Sequence, residues 1–258
     1  NTLKKPLAKT ELQNTKKSIL SHPFNRPKPF VVYHNWVVNT PMEMGIADQD
    51  KALKALETAS QFVNPFGVFV TGIDRDETAG TDDGTFKGSK AFSYTGAVMT
   101  LPTGVVAIAE NNYGRAEEAL DYLKKMTHSF SYTLPGSMYE VSPDYGMMCQ
   151  AWNIYAFAVP IVNQFFGIDP NAALKTVVIE PKLPKEWDNC SLENVEVGSN
   201  SISIFHKQEN GIASYKVTQS DSDWTIKLIL PHNPKNELKV TGGQMSILGD
   251  KVVILSTS

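Results

Sequence analysis

Cys149-Gln150-Ala151-Trp152-Asn153-Ile154-Tyr155-Ala156-Phe157-Ala158-Val159-Pro160-Ile161-Val162-Asn163-Gln164-Phe165-Phe166 is apolar on nearly every side when wound as a helix. A helix with no wet face is buried on both faces. The stretch therefore predicts an inner helix of a helical layer, with Gly167 at its C-cap and Pro170 marking the stop. Residues 96–110 are likewise apolar and rich in small residues, as suits a second, tightly packed inner helix.

Each of these is preceded by an amphipathic segment. Residues 49–63 follow Asp48, a good N-cap, and set Leu53, Leu56, Ala59 (or Ser60) and Val63 on one face. Residues 114–128 set Ala116, Ala119, Leu120, Leu123 and Met126 (or Thr127) on a dry face, opposite Arg115, Glu117, Glu118, Lys124 and Lys125. Long loops, 73–90 and 131–147, lead from outer-type to inner-type helices. Such alternation predicts antiparallel helix pairs laid down as a toroid, with the long loops gathered at one end. Roughly four or five helices are legible by periodicity, too few for a closed barrel of six hairpins. Pro41 suits a first helical turn and places a further helix in the second part of residues 30–45.

After about Thr176 the texture changes. Short β-type runs at 177–179, 192–197, 201–206, 213–218, 225–230, 237–240 and 251–255 are separated by turn residues, which predicts an antiparallel sandwich. Ile202-Ser203-Ile204-Phe205-His206 alternates as a strand with one wet face does. The expected organisation is thus mainly α with a β-domain: partial (α/α)6 hairpins over 1–175 and a small antiparallel β-sandwich over 176–258.

Composition narrows the function classes. A net charge of -3 with scattered Lys and Arg argues against a nucleic-acid partner. Two cysteines, Cys149 and Cys190, make no disulfide framework, and metal-ligand spacings such as CxxC or HExxH are absent, so neither metal nor cofactor is expected. No apolar run reaches the ~18 residues of a membrane span. The opening Asn1-Thr2-Leu3-Lys4 lacks an initiator Met and suggests a processed form or a fragment. Removal of a signal would place the chain in a periplasm or outside the cell.

Chemistry concentrates in the loop Leu134-Pro135-Gly136-Ser137-Met138-Tyr139-Glu140-Val141-Ser142-Pro143-Asp144-Tyr145-Gly146, which brings two carboxylates, two tyrosines and serines to the start of an apolar helix. Aromatic faces stack on sugar rings and carboxylates hold hydroxyls, and loops on rigid scaffolds carry a large share of catalytic residues. Glu140 there suits a general base that activates water; glycoside hydrolysis takes a second carboxyl as acid. The competing reading makes Glu140 a cap or an ion-pair partner. His34 near Trp36 reads as structural.

Gly136-Ser137-Met138-Tyr139-Glu140, then Cys149-Gln150-Ala151-Trp152-Asn153, resembles the end of the barrel in glycogen-debranching (amylo-α-1,6-glucosidase-like) enzymes of the six-hairpin glycosidase clan. Ser93-Tyr94-Thr95-Gly96-Ala97-Val98, Tyr113-Gly114-Arg115-Ala116, Phe166-Gly167-Ile168-Asp169-Pro170 and the passage 179–187 are similar to further segments of those enzymes. Processing α-glucosidase, α-rhamnosidase and glucoamylase relatives end alike. Asn153 stands where the family has Ser, and Met99 where it often has Trp. The resemblance implies an inverting glycoside hydrolase acting on α-glucosidic or related oligosaccharides or polysaccharides, with Glu140 as general base. Tyr94, Tyr139, Gln150 and Trp152 would line the sugar site. It puts the general acid earlier in the barrel, in a remainder preceding residue 1, so that this part alone turns over little substrate. Asp74, Asp76, Glu77, Asp82 and Asp83 lie in a barrel-end loop without any one being marked as that acid. Two other readings stand beside it: a non-catalytic carbohydrate-binding or structural fragment, and a helical repeat domain, for which no self-similarity is seen.

Overall fold

A computed structural model describes residues 35–60, 63–70, 98–132, 134–142 and 146–256. The chain divides into two compact units, Asn1–Phe157 and Ala158–Ser258.

In the first unit the described helices are α1 (Asn35–Glu43), α2 (Gln49–Ala59), α3 (Thr100–Asn112), α4 (Ala116–Thr127) and α5 (Ala151–Val159), with a two-stranded ribbon of β1 (Val63–Asn64) and β2 (Gly67–Val68). Nearly all of α3 is buried, as its small apolar residues require. It runs beside α4, whose Ala119, Leu120, Tyr122, Leu123 and Met126 face inward. Gly104 marks a very close approach: a Cβ there would come closer than 3.0 Å to the backbone of Ala156 in α5. Thr103, fully buried, ties β2 to α3 by donating to Met99 O (2.8 Å) and accepting from Val68 N (3.0 Å).

The second unit takes over in the last residues of α5, passes through a π-helical turn, Pro160–Phe165, and continues through β3 (Ile168–Asn171), β4 (Thr176–Ile179), β5 (Asn189–Val197), β6 (Asn200–Glu209), β7 (Ile212–Gln219), β8 (Thr225–Pro231), β9 (Gly243–Leu248) and β10 (Lys251–Ser256). One sheet has the order β3-β4-β8-β10-β9, the other β5-β6-β7. They share one core: Ile168, Val177, Ile179, Ile226 and Leu228 of the larger sheet with Val197, Ile202 and Ile204 of the smaller, closed by Phe166 and Trp224. Along β6, Ile202, Ile204 and His206 are buried while Ser203 and Phe205 are half-buried, as the alternation requires.

The mainly-α expectation fails. Among the described residues helix and strand take near-equal shares, 32% and 33%, and five short helices do not make a toroid. The reasons are local. The helix expected over 149–166 stays α-helical only to Val159, because Pro160 has no amide hydrogen for the regular ladder, and the chain continues as a π turn. Its expected two-sided burial also fails: Trp152 and Ile154 are exposed, and only Asn153 and Ala156 of α5 are buried. Pro41 falls near the end of α1 instead of starting a helix. The segment after Phe166 supplies sheet from Ile168 onward, and β4 pairs with β8 in parallel, so the larger sheet is mixed and not wholly antiparallel. Asp48 precedes α2, but its carboxylate pairs with Lys51 and makes no cap hydrogen bond.

Candidate functional site

The loop between α4 and α5 is fixed first by itself, then by its neighbours. Ser131 takes a left-handed conformation (φ 64°), its N–H donates to Ser137 O (2.8 Å), and Ser137 Oγ donates to Leu134 O (2.9 Å). From Met138 onward the bonds reach out. Asn153 Nδ2 donates to Met138 O (2.9 Å), Thr100 Oγ1 to Tyr139 O (2.8 Å) and Thr100 N–H to Glu140 O (3.1 Å). Met99 bridges Val141, and Ser142 N–H donates to Val98 O (2.9 Å). Five consecutive residues are thereby pinned to the entry of α3 and the first turn of α5.

Glu140 sits at the centre of this clamp. Its N–H donates to Met147 O (2.9 Å), and Met147 N–H donates weakly to Glu140 Oε2 (3.4 Å). Gly146 (φ 86°) lies against the side chain: a Cβ there would stand 3.0 Å from both Cβ and Oε2 of Glu140. Glu140 as a whole residue is half-buried.

Of the residues expected around it, Tyr139 is half-buried beside Glu140 in sequence. Trp152 is 46% exposed, and its Nε1 donates to Gln150 Oε1. Because Asn153 holds Met138, Gln150 and Trp152 belong to the turn that anchors the Glu140 loop. Tyr94, His34 and the acidic residues Asp74, Asp76, Glu77, Asp82 and Asp83 lie outside the described residues.

One acidic group stands out that motif reading passed over. Glu110, near the C-terminal end of α3, is 0% exposed. Arg115 Nε lies 2.8 Å from its Oε2, yet neither carboxylate oxygen has a hydrogen-bond partner. Burial pushes its pKa up to about 7, with Arg115 pulling down and Glu118 pushing up. The signal in the sequence was a charge inside Val105-Val106-Ala107-Ile108-Ala109-Glu110. Such a group would serve as an acid, but its place is wrong for Glu140. Thr100, which holds Glu140, is ten residues away on α3, or about 15 Å along the axis at 1.5 Å per residue. The carboxyl pair of an inverting glycosidase stands ~6.5–9.5 Å apart.

Two cavities are prominent among the described residues, and Glu140 lines neither. One, of about 520 Å³, lies beside Glu110, Arg115, Glu118 and Tyr122. The other, of about 560 Å³, opens between the sheets of the second unit. Among the described residues no group of three or more His, Cys, Asp or Glu side chains could hold a metal ion. No helix of the described residues is long and apolar enough to cross a membrane. No family model matches the chain, and no curated protein matches it.

Proposed function

We propose that the chain carries the general-base half of a glycoside hydrolase site for α-glucosidic or related saccharides, with Glu140 as the base. The observation that supports this is the clamp itself: a half-buried glutamate held through its own backbone N–H and C=O, in a loop anchored to the helix turn that presents an exposed tryptophan. A base must be held in position to help the transition state, and fixing it beforehand removes the ordering cost from the reaction. Trp152 offers an apolar face for a sugar ring and Tyr139 a hydroxyl. The reaction also takes a carboxylic acid on the leaving-group side; Glu110 is too far along α3 to be it.

The exposed Trp152 equally favours a second reading, a carbohydrate-binding fragment without turnover. Hydrolysis of an α-glucosidic oligosaccharide panel by a longer polypeptide that also carries the acid, followed by chromatography together with calorimetric binding, separates the two. Glu140→Gln is expected to cut turnover by roughly 10²–10⁴-fold while leaving affinity near the wild-type value. Binding without hydrolysis by a wild-type polypeptide that also carries the acid-bearing part of the barrel would favour the second reading. Equal rates for wild type and variant would remove Glu140 from the chemistry, and absence of both binding and turnover would remove both readings.

A further inference from the structure

The second unit contains a groove whose shape follows from a mismatch of widths. The larger sheet has five strands and the smaller three. At ~4.8 Å per strand the larger inner face overhangs by two strands, about 10 Å. Register shows what overhangs: Ile247 opposes Val252, Met245 opposes Ile254, and Val252 opposes Leu230, so these side chains share the inner face. Met245 remains 45% exposed there. The result is the cavity of about 560 Å³, floored by Leu230, Met245, Val252 and Ile254 and walled on one side by β7. A strand residue within a sheet layer fills ~160 Å³ (about 3.4 by 4.8 by 10 Å), so the groove has room for three or four residues of one further strand.

The β7 wall is a free edge whose open groups can be identified. The β6–β7 hairpin turns through Asn210-Gly211, both with positive φ (51° and 78°), and Glu209 opposes Ile212. In such a two-residue turn the flanking pair exchanges both hydrogen bonds and pairs alternate from there. Ser220 N–H donating to Ser201 O (3.0 Å) agrees with that phase. Ala213, Tyr215, Val217 and Gln219 therefore turn their N–H and C=O away from β6, and all four line the groove.

The other wall is the segment 237–242. Glu237-Leu238-Lys239-Val240-Thr241 alternates polar and apolar residues as a strand does, yet no strand forms there. Among the described residues no backbone hydrogen bond involves these five. The segment is bounded by a tight turn, where Asn236 N–H donates to Asn233 O (2.9 Å), and by Gly242 at φ 74° with open space where a Cβ would be. A turn at one end and an unobstructed glycine at the other leave it free to swing as a unit.

We propose that Glu237–Thr241 is a strap strand that closes this groove by pairing with the free edge of β7, bringing Leu238 and Val240 down onto Met245 and Ile254. Closure converts two unpaired backbone rails into one ladder and lengthens the smaller sheet to four strands, which reduces the overhang.

Amide hydrogen exchange on the whole chain, read residue by residue by NMR, tests this. With the strap closing, the outward amides of Ala213, Tyr215 and Val217 exchange at least about tenfold more slowly than unstructured amides. Val240→Pro and Lys239→Pro remove adjacent donors from an alternating segment. At least one of the two returns the outward amides to the unstructured rate, while Ser214, Lys216 and Thr218 keep their protection and report an intact hairpin. Fast outward exchange in the wild-type chain overturns the proposal. So does protection that survives both variants, and so does protection that rises with protein concentration, which would put a second copy in the groove.

Discussion

Replacing Glu110 by Gln tests the energetic cost of a charge inside α3. In the folded chain this carboxyl is fully buried and its pKa stands at about 7, against an ordinary 4.5, chiefly because burial disfavours the charged form. Below about pH 4.5 Glu110 is mainly protonated in both folded and unfolded chains, and its ionisation makes no difference to stability. As pH rises toward 7 the unfolded chain releases the proton first, so the unfolded state gains and stability falls. The gap between 4.5 and about 7, at 1.36 kcal/mol per pH unit, corresponds to a loss of about 3 kcal/mol that is complete above about pH 7. Glutamine mimics the protonated form in shape and cannot ionise. Arg115 keeps a second partner in the variant, Glu118 Oε1 at 3.4 Å. Urea unfolding followed by circular dichroism is run on both chains between about pH 4.5 and about pH 8. The stability of the variant relative to wild type should rise with pH by about 3 kcal/mol, with other titrations cancelling in the difference. A difference that stays constant within roughly 0.5 kcal/mol, about the error of the extrapolation, would show that Glu110 remains ionised in the folded state and that the reasoning fails.

Gly104→Ala should destabilise the first unit by about 1–3 kcal/mol or more, since the new methyl meets the Ala156 backbone; Ala156→Gly should not rescue it, because the clash is with main-chain atoms as well as Cβ. Thr103→Val leaves the buried Val68 N–H without its acceptor and should cost about 1–3 kcal/mol by the same unfolding assay. Gly146→Ala presses a methyl against the Glu140 carboxylate at a positive φ. It should lower any hydrolytic rate by about tenfold or more while far-UV dichroism stays unchanged, whereas wild-type rates would mean the carboxylate position is unimportant.

The amphipathic and small-residue helices were legible in the sequence because their periodicity carries through to burial: α2, α3 and α4 form within a few residues of the expected bounds. The toroid was not, because alternating helix types state only that partners exist, and Trp152 and Ile154 show that apolar composition does not by itself bring a partner. β6 was readable from its alternation, whereas β9 was missed: Gly242-Gly243 reads as a turn, and Gln244-Met245-Ser246-Ile247-Leu248 became a strand only through its register against β10. The segment 237–240 shows the opposite error, with a strand pattern and no strand. At the candidate site, Glu140 was visible by residue type and loop position. Its clamp was not, because main-chain bonds from Thr100 and Met147 leave no mark in side-chain chemistry. Burial of Glu110 depends on neighbours supplied by α4, which no local window contains.

The parallel pairing of β4 with β8 bears on the order in which the second unit assembles. Val177 opposes Ile226, and between them runs the whole of β5, β6 and β7. Bringing those two positions together in a shapeless chain costs roughly 3 kcal/mol in closure entropy, before any reward arrives. The intervening hairpins need only neighbours in sequence, and once formed they shorten the span to be closed. By this reasoning the hairpins of the small sheet and the local β9–β10 hairpin form before the β4–β8 pairing closes.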